Sequence, residues 1–273
     1  MNTDFLDRQS APFGPDVWAK IDQAVIGAAS AQLSARRLLD MEGPYGLGLK
    51  SISGPDEDIE TEAHATVCVS PTIPVPTIRY PFTLPMRDVA DYERGGIIFN
   101  LRAIATAAIA MAHREDEMIF NGMPERGIPG LLNATESAGV HLEQWTEPGM
   151  GFNNIMEAVN VLDSRGLHGP YALALAPSRY NALFRIYTNA GITEYEQVKS
   201  LIGGDIVKAS ALNDGGVLVA TGRQFLSLVF GQDLVTAYAG ITCGEYEFCL
   251  MESVVLKVSL PSAICTIGGT MRD

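Results

Sequence analysis

The run from Leu33 to Gly46 (LSARRLLDMEGPYG) constrains this chain more than any other stretch. Its first half, Leu33 to Asp40, reads as the end of a helix. Gly43 and Pro44 then stop helical structure, and the chain opens into a long arm. From Lys50 to Thr77 the composition is acidic, then β-branched and rich in proline. Proline is confined to sheet edges and bulges, so the spacing predicts an extended segment with few sheet-interior positions. Such an arm has little core of its own. It needs a partner surface, which in a self-assembling protein is a neighbouring subunit.

Around the arm the pattern is mixed. Asp16 to Asp40 reads as one helix, with Pro15 suited to a first helical position. Trp18, Ile21, Val25, Ala28 or Ala29, and Leu33 form its apolar stripe. The small run Gly27 to Ala31 fits tight packing in a core or close approach of another backbone. Arg79 to Leu84 resembles a strand. Asn100 to Asn121 is the strongest helix, with Asn100 as N-cap and Gly122 just past its end. Further helices are expected at 154–165, 177–187 and 194–201. Strands are expected at 171–176, 206–209, 217–221, 225–230 and 246–260. This order is α+β without a βαβ repeat, which argues against Rossmann or barrel plans.

Composition removes several function classes. With 273 residues, 47% of them hydrophobic, the chain can bury a large core. Its 19 Lys and Arg stand against 32 Asp and Glu, a formal charge of -13. An acidic chain gains no counterion-release drive toward nucleic acid and none toward an anionic membrane. The four cysteines, Cys68, Cys243, Cys249 and Cys265, form no CxxC pair and read as free thiols of a reducing compartment. The N-terminus does not read as a signal peptide. Ala103 to Ala112 is too short an apolar run to span a membrane, so a cytoplasmic location is expected. There is no P-loop, no GxGxxG at a strand–helix junction and no GxSxG elbow. His113 beside Glu115, Asp116 and Glu117 reads as a solvated charged helix face. The expectation is no catalytic residue and no metal site.

Several blocks are similar, in order and spacing, to the encapsulins, shell proteins of bacteria and archaea. They include Ala11-Pro12 before Trp18, Ile21-Asp22, Arg36 to Asp40, Glu42 to Gly46 and Phe82 to Leu84. Further along are Glu93 to Gly95, Glu115 to Gly122, Gly127 to Gly130, Gly169 to Tyr171, Gly203-Gly204 and Gly231 to Leu234. Each is weak alone; together they run from about Phe5 to Ile267. The resemblance implies the HK97-like phage-capsid fold. Residues 1–49 would hold the N-terminal helix and the start of a peripheral base domain, and 50–81 the extended arm. Residues 82–129 would continue the base domain with its spine helix, 130–229 would form an axial domain, and 230–273 would return to the base. It also implies self-assembly into an icosahedral nanocompartment of about 60 copies or a larger multiple. Such a shell encloses cargo enzymes that carry a targeting peptide: ferritin-like proteins, dye-decolourising peroxidases or hemerythrin-like proteins, linked to iron storage and oxidative stress. The alternatives are a phage or prophage major capsid protein, disfavoured by the negative charge, and a peptidase- or bacteriocin-like enzyme, for which no constellation is visible.

Carried onto this sequence, the cargo-peptide groove is expected at Ile26, Ala29, Leu33, Arg36 and Asp40 on the N-terminal helix, and at Val235, Thr236 and Tyr238 on a base-domain strand. Ala29 stands where better-known members have a large aromatic, which implies a wider, shallower pocket. Apolar anchors would supply binding energy while Arg36 and Asp40 fix direction. The pore loop is expected at Asn189, Ala190, Gly191, Ile192 and Thr193, uncharged and therefore selecting by size. Some members stack flavin on a tryptophan; the matching position here is Arg87, so no tightly bound flavin and no other cofactor is expected.

Overall fold

Two single 3-10 turns, Asp4–Leu6 and Arg8–Ser10, lead into helix α1 (Pro15–Ser30). This is a computed structural model, and it describes residues 4–54, 56–62, 65–96, 99–134, 137–186 and 191–268. Pro15 is the first residue of α1, as the sequence predicts. The helix does not continue to Asp40. It ends at Ser30, and a separate turn, α2 (Ala35–Leu38), follows. The cause lies far away in sequence. The carboxylate of Asp116 accepts from the backbone N–H of Ser34 at 2.9 Å, from that of Ala35 at 3.0 Å and from the Ser34 hydroxyl at 2.6 Å. An acid at the head of α2 satisfies donors that a continuous helix would have used internally.

After α2 the chain enters β1 (Asp40–Glu42), which runs parallel to β11 (Leu226–Thr242). The four-stranded sheet β1-β11-β12-β6 is completed by β12 (Glu245–Val258) and β6 (Thr77–Pro85). Cys243 and Gly244 close the long β11–β12 hairpin, with φ of 49° and 86°. Positive φ at both central residues is what a two-residue hairpin turn requires. The sequence pattern shows only the first third of β11, because Gly231 to Asp233 breaks the apolar alternation. The strand passes this point by shifting register between Phe230 and Gln232 and again between Gln232 and Val235. A Cβ on Gly231 would lie 2.6 Å from the Ser253 hydroxyl, which accepts from the Gln232 N–H at 2.7 Å, so a side chain here would have to displace that hydroxyl.

One face of this sheet is covered by α1 and by the spine helix α4 (Arg102–Asn121). Asn100 supports the helix start from one residue further out than expected: its Oδ1 accepts from the Arg102 N–H at 3.2 Å, while Leu101 holds the N-cap position. Val17, Ile21, Val25 and Ala29 of α1 meet Ile104, Ala107, Ala108 and Met111 of α4. Of the small run Gly27 to Ala31, only Ala29 is buried against α4, with Ala28 packed beside it; Gly27, Ser30 and Ala31 are exposed. Phe82 and Phe248 stack across the sheet at 5.1 Å. Helix α3 (Met86–Glu93) follows β6.

The arm is a hairpin. Strand β2 (Ser51–Ser53) pairs with β5 (Thr72–Pro74), and β3 (Glu57–Glu62) pairs with β4 (Ala65–Val69). Its root is held by Val75 N–H to Lys50 carbonyl at 2.8 Å and by Val75 packing with Ile128, Val229 and Val255. Further out, Val67 and Val69 remain 47% and 43% exposed.

A second sheet, β7-β13-β10-β8-β9, is built from β7 (Ala138–Val140), β13 (Ile264–Ile267), β10 (Gly216–Ala220), β8 (Tyr171–Leu175) and β9 (Ile206–Lys208). Helices α5 (Met150–Ser164) and α7 (Glu194–Ile202) share its core; α6 (Pro177–Ala182) follows β8 and ends earlier than the expected 187. The two sheets are not separate. A single apolar cluster joins Leu228, Phe230 and Leu256 of the first to Ala172, Ala174, Val217 and Val219 of the second.

Candidate functional site

Helix α1 presents Trp18, Asp22 and Ile26 at intervals of four residues, on one face. Ile26 is 61% exposed, the large apolar side chain that α1 presents to solvent. Ala29 lies on the other face, 2% exposed and packed among the α4 residues. The space expected beside it is filled by α4, because an alanine here lets the two helices close on each other. Leu33 is also buried in that cluster.

Arg36 is fixed within the protein. Its guanidinium donates to both Glu115 oxygens at 2.9 Å, to Asp233 at 2.8 Å and to Glu252. It lies 4.5 Å from the centre of the Phe230 ring. Burial by itself would lower its pKa, but the hydrogen bond to Glu115 and the charges of Glu252, Glu115 and Asp233 outweigh that and hold it well above the usual value. Burial raises the Glu115 and Glu252 carboxyls; for Glu252 the neighbouring Glu115 adds to the rise, and Arg36 offsets part of it. Arg36 therefore ties α2 to α4, β11 and β12. Asp40 is exposed at the start of β1, where it pairs in register with Ser227.

On β11, Val235 is half-buried, Thr236 is buried, and Tyr238 packs into the α1/α4 cluster with Phe248. The α1 and β11 components are linked by a segment the sequence reading left out. Arg8 pairs with Asp22 at 2.7 and 2.8 Å, donates to the Thr236 carbonyl at 2.9 Å and lies over Trp18. Phe13 packs against Trp18, Tyr238, Tyr246 and Phe248. Asp22 and Ile26 lie outside the apolar stripe of α1, while Trp18 stays at its edge, packed against the α1/α4 cluster. Nothing local marked Arg8 as the partner of Asp22.

Asn189 and Ala190 lie outside the described residues. Gly191 has φ of 79°, Ile192 is 42% exposed, and Thr193 is the N-cap of α7. The Thr193 hydroxyl accepts from Glu196 N–H at 3.3 Å, and the Glu196 carboxylate accepts from Thr193 N–H at 2.9 Å, a reciprocal capping box. Hydrogen bonds to Thr193 hold the Glu196 carboxyl below its usual range. Phe184, 51% exposed, stacks on Tyr195 at 5.0 Å, and Ile186 beside it is 65% exposed. Together they form an apolar rim at the loop.

Arg87 is exposed on α3; the nearby Tyr92 ring is engaged edge-on with Phe99 at 5.0 Å. All four cysteines are free, and burial pushes the Cys265 thiol up to about 12. No helix among the described residues is long and apolar enough to cross a membrane.

Comparison with known proteins places this arrangement. The Linocin_M18 family profile, "Encapsulating protein for peroxidase", matches residues 2–255. The chain is 34% identical to the type 1 encapsulin shell protein EncA of Myxococcus xanthus, with 97% of each chain covered. Among solved structures it is similar to the virus-like particle from Pyrococcus furiosus, with a TM-score of 0.72, 20% identity, and 92% and 99% of the two chains covered. It is also similar to the capsid of Myoviridae phage XM1, with a TM-score of 0.61, 13% identity, and 85% and 90% covered. Those two likenesses define the fold, an HK97-like capsid protomer. With the family profile spanning nearly the whole sequence and a relative above 30% identity at full length, the chain belongs to the encapsulin shell-protein family.

Proposed function

We propose that this chain is the protomer of a closed icosahedral nanocompartment in the cytoplasm, and that it serves as structure while its cargo carries the chemistry. The end-to-end match with a type 1 encapsulin shell protein carries this reading. The hairpin arm, with Val67 and Val69 exposed and little core of its own, supports it as the element that grips a neighbour. In this reading residues 1–49, 82–129 and 230–273 form the base domain, 50–81 the arm and 130–229 the axial domain.

The cargo groove lies along the outward face of α1 and the adjoining part of β11. Ile26 is the exposed apolar anchor, Val235, Thr236 and Tyr238 form the strand side, and Asp40 offers an exposed carboxylate. Leu33 and Ala29 support the groove from beneath, and Arg36 holds its base in shape. Weak single grooves on one lumen suffice for an oligomeric cargo, since bound copies hold one another in place. The family description names a peroxidase as cargo; ferritin-like and hemerythrin-like proteins are the further cargo classes that the encapsulin resemblance implies. The loop 189–193, with the Phe184, Ile186 and Ile192 rim, lines a pore that selects by size.

Negative-stain electron microscopy of the purified protein, with mass spectrometry of what co-purifies from the native host, tests the reading. Uniform closed particles holding a protein are expected. A monomer or small oligomer across salt and pH conditions would overturn it, and particles filled with nucleic acid would make the chain a capsid protein instead. The groove is tested by Ile26→Asp, whose shells are expected to close but remain empty.

A further inference from the structure

The first described residues are fastened across the boundary between α1 and β11. Arg8 has three kinds of partner there: the Asp22 carboxylate at 2.7 and 2.8 Å, the Thr236 carbonyl at 2.9 Å and the face of Trp18 at 4.4 Å. Leu6 is 4% exposed, and Phe13 sets its ring 6.2 Å from Tyr238. A stretch of this chain thus engages two residues, Thr236 and Tyr238, of the strand side proposed for the cargo peptide.

Its fit is incomplete. Thr236 is 0% exposed, yet its hydroxyl is a buried side-chain group without a hydrogen-bond partner among the described residues. Buried hydroxyls are normally satisfied, and leaving one unpaired opposes the state that contains it. The ion pair beside it is half open to water, with Arg8 and Asp22 side chains 29% and 36% exposed. Such pairs contribute little and part easily. The segment covers the site without completing it, which is the character of an occupant that can leave.

We propose that residues 5–13 are a resident occupant of the cargo groove, clasped by Arg8 to Asp22 and Thr236, and that the targeting peptide binds by displacing them and pairing the Thr236 hydroxyl. This rests on the groove reading above. A tethered segment competes at high effective concentration, so the empty groove is shielded from unrelated apolar peptides. A cargo must offer several peptides at once to hold its place.

Hydrogen exchange measured by mass spectrometry on empty and cargo-filled shells from the native host tests this. Amides of residues 5–13 are expected to exchange about tenfold faster in filled shells, and Arg8→Ala is expected to produce a similar gain in empty ones. Unchanged exchange in filled shells overturns the displacement, and unchanged exchange in Arg8→Ala shells overturns the clasp. The Ile26→Asp shells separate the two levels. If these remain empty while the segment stays protected in filled wild-type shells, the groove stands and the displacement falls. If they fill like wild type, the groove reading falls and the displacement with it.

Discussion

Arg36 sits among three carboxylates, two of them buried, and this makes it a structural linchpin. Replacing it with alanine leaves Glu115 and Glu252, each 1% exposed, facing one another without a counter-charge. Breaking a buried ion pair in this way costs about 3–5 kcal/mol, so Arg36→Ala is expected to lower the thermal midpoint sharply, as calorimetry of the assembled protein would show. The Glu252 carboxyl gives a pH signature. Its folded-state pKa is raised above the ordinary carboxylate value by burial and by Glu115. The native state therefore holds a proton that the unfolded chain releases. The associated stability is complete below the unfolded value and is lost as pH rises toward the folded one, by up to about 1.4 kcal/mol per pH unit. Relative to wild type, Glu252→Gln is expected to gain stability as pH rises above about 4.5. Denaturant titrations at pH 5, 6 and 7 check this, and equal differences at all three would sink the assignment.

At the scale of elements, the break between α1 and α2 depends on a single acid contributed by α4. Asp116→Ala removes acceptors from Ser34 and Ala35 inside the core, and hydrogen bonds to a charged group contribute about 1.5–3 kcal/mol each. The expected outcome is a loss of about 3 kcal/mol or more in urea unfolding, with Asp116→Asn recovering part of it. The same break shows what the sequence could and could not disclose. The spine helix and β8 were legible because their apolar patterns and terminal glycines are local. The end of α1 was not, because the group that stops it lies 82 residues away. The length of β11 was hidden by the register shifts around Gly231, which destroy strand alternation while preserving the strand. In the groove, Ile26 was carried over from the family resemblance, and its exposure fits its place outside the Ile21–Val25–Ala29 stripe. The burial of Ala29 and the commitment of Arg36 depend on α4 and β12, which no local window reports.

For the whole molecule, the arm is the separable part. Removing residues 54–71 and joining the chain through a short turn is expected to leave circular dichroism and the unfolding midpoint near wild type, because the root contacts at Lys50 and Val75 remain. Closed particles are expected to disappear from electron micrographs and size-exclusion profiles. Closed particles forming as before would show that the arm is dispensable for assembly. The apolar cluster running through both sheets has a further mechanical consequence. Because Phe230 and Leu256 share one packed interior with Ala174 and Val219, the two sheets cannot bend against each other without opening that shared core, and close-packed interiors resist deformation. The two-sheet body is therefore expected to act as a stiff tile, with the compliance of a closed shell concentrated at the root of the 50–75 hairpin. Curvature would then be adjusted there, as in a dome of rigid plates joined by hinges, and loosening the Val75 anchor would soften the container without altering any plate.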